Sequence, residues 1–103
     1  PAGCDIYAGG WPFAHLIGQE RPEGLRRTLP YYDAGSFATR IKDIPVMFSM
    51  GLIDEVCKAD GVSAVYNRLA TPLKRRELHE RMQHETGSSV ILELTRFIMG
   101  NLK

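Results

Sequence analysis

The stretch "ELHERMQHET" holds two histidine–glutamate pairs, His79–Glu80 and His84–Glu85, in a chain with three histidines in all. The nearest chemistry is that of the zinc proteases. Their H-E-x-x-H pattern sets two imidazoles four residues apart on one helical face, with a glutamate beside them as general base. Here the spacing is five. At about 100° per residue, five steps turn one ring about 140° from the other, so a helix points them to different sides. No zinc site is expected on these residues. Cys4 and Cys57 are too few for a disulfide framework or a metal knuckle, and are expected to be small buried side chains.

A second constellation pairs an acid with an imidazole. Asp54 stands in "MGLIDEVC", just past the apolar run "IPVMFSMGLID", and His84 stands in "QHET" ahead of the apolar stretch "SSVILELTRFIMGNL". Functional residues of open α/β sheets gather in the loops beyond the carboxyl ends of the strands. If "RRELHERM" is the strand that follows, Asp54 and His84 occupy equivalent loops one strand apart. Their order is then that of the last two members of an α/β-hydrolase triad, Ser, Asp or Glu, His. In such a triad the neutral imidazole takes the serine proton during attack on an ester carbonyl and returns one to the leaving alcohol, while the carboxylate holds the ring's tautomer. The serine itself belongs on a G-x-S-x-G elbow, and none occurs. Ser36 has its glycine on the wrong side, Ser49 falls inside the apolar run, and Ser63, Ser88 and Ser89 fall on or cap helices. The bland alternatives are a turn or capping aspartate and an exposed loop histidine.

Several elements must position these groups. A Gly- and Pro-rich lead-in, carrying Trp11 and His15, reads as loop with one short helix; His15 is expected to be partly buried. A helix opens at Asp33 as N-cap, with Phe37 and Ile41 four apart on one face, and Tyr31 and Tyr32 are expected in the core. The run from Ile44 to Asp54 reads as a strand buried on both faces of a parallel sheet. Val62, Val65, Tyr66 and Leu69 have helical spacing, with Asp60 as cap and Pro72 as stop. The stretch "LKRRELHERM" has no decisive period. The last helix carries Val90, Ile91, Leu94, Phe97 and Ile98 as its stripe, with Ser88 or Ser89 as cap and Gly100 as its end. His79 is expected to be structural or at the surface. The alternation is α/β, yet one or two strands cannot close a core, so the chain reads as part of a larger sheet.

Composition excludes some partners. The formal net charge is +1, with Arg26–Arg27 and Lys74–Arg76 as solvated faces, so neither nucleic acid nor an anionic membrane is expected to bind. No apolar run reaches the length of a membrane span. Pro1 is not an initiator, so the native N-terminus is expected upstream. The expected compartment is the cytoplasm, with secretion the alternative if a leader precedes Pro1.

The segment "YYDAGSFATRIKDIPVMFSMGLIDEVCKADGVSAVYNRL" resembles the acetylxylan esterase and cephalosporin-C deacetylase family, carbohydrate esterase family seven of the α/β-hydrolase superfamily. That family has a Tyr-Asp-Ala helix, an Ile-Pro-Val strand, a "GLID" turn and an "AYNHL"-like helix. The resemblance implies that residues 1–103 are the C-terminal segment of a single α/β-hydrolase domain, with its last parallel strands and flanking helices. Residues 1–28 are then the lead-in and 29–103 run helix, strand, helix, strand, helix, the ambiguous stretch being the last strand. It also implies catalytic roles for Asp54 and His84, no metal or organic cofactor, a small acetylated carbohydrate or ester as substrate, and self-association of the complete protein. The serine elbow would lie before Pro1, so the chain alone is expected to be inactive. Two departures stand out: "KADGVSAVYNRL" replaces a Pro-rich turn, and "ERMQHET" replaces a Gly-containing approach to the histidine. Two other readings are a non-catalytic α/β module or decayed paralogue docking through its sheet edge, and a peptidase or lactone hydrolase of the same fold.

Overall fold

A computed structural model describes residues 23–102 of the chain. The expectations for Cys4, Trp11 and His15 fall outside the described residues. Helix α1 (Glu23–Thr28) is followed by a 3-10 turn (Leu29–Tyr31), helix α2 (Ala34–Ala38), strand β1 (Val46–Gly51), helix α3 (Ala59–Arg68), strand β2 (Lys74–His79) and helix α4 (Ser88–Asn101). The end of the expected loop-rich lead-in is thus helical. Glu23 and Arg27, four residues apart, pair across that turn at 2.7 Å.

The unit that positions everything else is β1–α3–β2. Strands β1 and β2 are parallel, with Val46 opposite Lys74 and Gly51 opposite His79. A parallel pair needs a crossover, and α3 supplies it. Val46, Phe48 and Met50 alternate along β1 and pack under α3. Met50 joins Cys57 and Val62 in one buried cluster, Ala38, Val65 and Leu69 form a second, and Phe48 packs against both. The spacing of Val62, Val65 and Leu69 gives α3 one continuous apolar stripe for this role.

Lysine 74 fastens the far end of the crossover. Its Nζ donates to the carbonyls of Tyr66 and Leu69, at 3.2 and 3.1 Å, where α3 runs out of intrahelical partners. The same ammonium lies 5.0 Å from the centre of the Tyr66 ring, and that ring meets Phe48 edge-on at 5.8 Å. A lysine at the first position of a charged strand therefore satisfies the helix before it.

Several sequence expectations need correction. Helix α2 does open at Asp33, whose buried carboxylate accepts from the Gly35 N–H at 2.8 Å, but it ends at Ala38. Ile41 therefore lies outside the helix, and Phe37 is exposed. Tyr31, the last residue of the 3-10 turn, and Tyr32, which caps it, are 76% and 75% exposed and not in the core. The apolar run is a strand only over Val46–Gly51; Ile44, Leu52 and Ile53 are exposed, and most of the strand is half-buried, with one neighbouring strand among the described residues. Lys58 stands at the N-cap of α3, and Asp60 is the helix's second residue, accepting from its neighbour Gly61. Leu69 ends that helix ahead of Pro72. Gly87 stands at the N-cap of α4, and Gly100 lies inside it. Of the α4 stripe only Val90 is buried; Ile91 and Ile98 are exposed. Among the described residues no helix is long and apolar enough to cross a membrane.

Candidate active site

Because β1 and β2 run parallel, both carboxyl ends lie at one edge, and the loops that follow are neighbours. Gly51 closes β1 and His79 closes β2 in register. A single carbonyl, that of His79, accepts the Leu52 N–H at 3.0 Å and the Met82 N–H at 3.3 Å, joining the starts of both loops. Asp54 comes three residues after Gly51, where its N–H donates to the Gly51 carbonyl at 3.4 Å. His84 comes five residues after His79, beyond the turn at Glu80–Arg81.

The two side chains meet. His84 Nδ1 and Asp54 Oδ2 are 2.9 Å apart. The other carboxylate oxygen, Oδ1, accepts the backbone N–H groups of Val56 and Cys57, each at 2.8 Å. Asp54 is thus both the turn aspartate of the bland reading and the partner of an imidazole, one oxygen for each. Its side chain is 9% exposed, whereas that of His84 is 57% exposed. Burial by itself pushes the Asp54 carboxyl upward. The hydrogen bond from His84, those from Cys57 and Val56 and the imidazole's charge outweigh it, and the net shift is below the ordinary aspartate value. An ionised carboxylate only accepts, so Nδ1 carries the hydrogen, and in the neutral ring Nε2 keeps its lone pair. Among the described residues no protein group hydrogen-bonds Nε2. An anchored acid, an oriented ring and a free basic nitrogen are what a general base requires.

Asp54 and His84 border a cavity of about 300 Å³ that Ser49, Met50, Cys57 and Met82 also line. Ser49 lies within β1, and its Oγ is buried without a hydrogen-bond partner among the described residues. It has no elbow to present it. His79 ends β2 with Nε2 buried and likewise unpartnered among the described residues. Among those residues no group of three or more His, Cys, Asp or Glu side chains is placed to hold a metal ion. Sequence reasoning did not find the two backbone donors behind Asp54, although an acid two and three residues before the amides it accepts is a legible local signal. Nor did it find the role of the His79 carbonyl, which depends on strand register.

Similarity to known proteins agrees with this architecture. The family model described as acetyl xylan esterase (AXE1) matches residues 15–100. Among solved structures, the acetyl xylan esterase from Paenibacillus sp. R4 superposes with a TM-score of 0.73 at 32% identity, over 87% of this chain and 28% of that one. Acetyl xylan esterase 1 from Thermoanaerobacterium sp. JW/SL YS485 gives a TM-score of 0.71 at 25% identity, over 92% of this chain and 28% of that one. The chain therefore spans little more than a quarter of the length of either relative. Its parallel strand pair with flanking helices is part of an α/β-hydrolase-like fold, and the chain belongs to the acetyl xylan esterase family.

Proposed function

We propose that this chain is the C-terminal portion of a serine carboxylesterase that removes acetyl groups from acetylated sugars, xylan or small acetyl esters. The observation that carries this reading is the 2.9 Å contact between His84 Nδ1 and Asp54 Oδ2 at the carboxyl ends of adjacent parallel strands. Family membership supports the choice of ester chemistry, and the names of the two relatives, both acetyl xylan esterases, support acetylated xylan as substrate.

In the proposed reaction a serine from outside these 103 residues gives its proton to His84 Nε2 as its oxygen bonds to the acetyl carbonyl carbon. Asp54 stabilises the imidazolium. His84 then passes that proton to the departing sugar oxygen as the carbon–oxygen ester bond breaks, leaving an acetyl-serine. Water repeats the sequence: it loses a proton to Nε2, attacks the acetyl group, and the serine recovers its proton as acetate leaves. Donors for the carbonyl oxygen would likewise come from outside the chain. The reading needs no metal or organic cofactor; the proposed compartment of the complete protein is the cytoplasm, with secretion the alternative.

The test compares the isolated chain with the complete protein on p-nitrophenyl acetate and acetylated xylan. The isolated chain should hydrolyse p-nitrophenyl acetate no faster than free imidazole does, while the complete protein releases acetate from both substrates. Turnover by the isolated chain well above imidazole would mean that it holds a nucleophile of its own. A complete protein inert on every acetyl ester would sink the esterase reading.

A further inference from the structure

We infer that Gly51 is a positioning residue for the Asp54–His84 pair, because its bare Cα lets the loop that carries His84 lie directly on the strand that carries Asp54. The inference rests on the reading of that pair as the acid–base half of an esterase, and it deepens that reading.

The geometry is a contact between backbones. A Cβ built on Gly51 would run into the carbonyl oxygen of Met82 and stand 2.7 Å from both the Met82 carbonyl carbon and the Gln83 carbonyl oxygen. Real Cβ atoms essentially never approach so closely, and no side-chain rotation relieves a clash with main chain. Glycine inside a strand commonly marks close approach by another backbone. Here the approaching segment ends one residue before His84, and Gly51 itself lies three residues before Asp54. Any methyl group at position 51 therefore enters between the two arms of the pair.

Two features make the pair sensitive to that wedge. The arms are joined beneath Gly51 by the His79 carbonyl, which accepts from Leu52 and Met82, so separating residues 82–83 from Gly51 strains the join or breaks it. The Asp54 end is also fixed by its bonds to Val56 and Cys57, which leaves the more exposed His84 arm to move. A hydrogen bond of 2.9 Å is lost once its partners are drawn about 0.7 Å further apart, and sites held one ångström too loosely lose function. The other glycines near the pair lack this role: Gly87 would meet only the Ser89 hydroxyl, at 4.0 Å.

The test needs no catalysis, so its failure is distinct from failure of the esterase reading. In the complete protein, with its aspartates and histidines labelled with ¹³C and ¹⁵N, NMR follows the Asp54 carboxyl titration and the His84 ring tautomer. In the unaltered protein the Nδ1–H tautomer should dominate, and Asp54 should titrate lower than it does in His84→Ala. In Gly51→Ala the Asp54 midpoint should rise to the His84→Ala value, and the ring should revert to the tautomer mixture of free imidazole. Gly87→Ala should leave both signals unchanged. Coupling retained in a folded Gly51→Ala would overturn the inference while leaving the esterase reading standing; coupling absent from the unaltered complete protein would overturn both. Should Gly51→Ala fail to fold, Met82→Ala and Gln83→Ala still decide. Because the three atoms nearest that Cβ position are all main chain, both should keep the coupling, and its loss in either would show that side-chain packing holds the loop.

Discussion

At the scale of single residues, Asp54 divides its oxygens between two tasks, and each has a measurable consequence. Oδ1 is held by two backbone N–H groups and Oδ2 by His84. These bonds favour the charged form and hold the carboxyl below its ordinary value despite burial. The sign of the stability effect follows. A depressed folded-state pKa adds stability that is fully present above the unfolded aspartate value, near about 3.9, and that disappears as pH falls through the folded value. The stability difference between the unaltered chain and Asp54→Asn should therefore be largest near neutrality and shrink steadily in acid. Urea unfolding at a series of pH values checks this. A difference that grows as pH falls below the unfolded aspartate value would mean that Asp54 is held protonated instead.

At the scale of elements, the core lies under α3. Met50 is 3% exposed in the cluster with Cys57 and Val62, while Met99 on α4 is 66% exposed. The same substitution at both sites isolates burial from chemistry. Met50→Ala should cost about 2–5 kcal/mol, and Met99→Ala should stay within about 0.5 kcal/mol, both read from urea midpoints at constant m-value. Lys74→Met removes two hydrogen bonds to the end of α3 and should cost about 1 kcal/mol or somewhat more. The elements also differ in how far the sequence exposes them. Helix α3 is legible because its apolar residues repeat with the helical period, and strand β1 because it is a continuous apolar run, although that run reads as longer and more deeply buried than the strand is. Strand β2 is not legible from its own residues, since Lys74, Arg75, Arg76 and Glu77 carry no apolar alternation and owe their pairing to β1. Helix α2 is overread because Phe37 and Ile41 match helical spacing, yet the chain leaves the helix between them. Asp54 and His84 are legible as a pair through chain order, but the loop position of His84 follows only once the resemblance makes the stretch before it a strand. The contact at Gly51 depends on how two loops stack across a sheet, and no local pattern encodes that.

At the scale of the whole molecule, a pair of strands with one crossover helix leaves much apolar surface uncovered. Leu52, Ile53, Leu78, Ile91, Leu92, Ile98 and Met99 are all exposed, and among the described residues the sheet has only two strands. Two-stranded sheets are marginal alone, and apolar patches of this kind ordinarily meet a partner surface. Relatives more than three times as long carry this segment as about a quarter of their length. Amide exchange should therefore be slowest in β1 and α3 and fast along α4, where Val90 is the buried residue. Uniform protection through Asn101 would show that α4 is held more firmly than its burial implies.

The account turns on whether the anchored acid and its imidazole move protons for an acyl transfer. The direct measurement is the kcat of the complete protein on p-nitrophenyl acetate with His84→Ala set against the unaltered protein. The account predicts a loss of about a thousandfold or more with KM little changed. Activity within about twofold of the unaltered protein would contradict it, because no other group could then be relying on His84 for the proton.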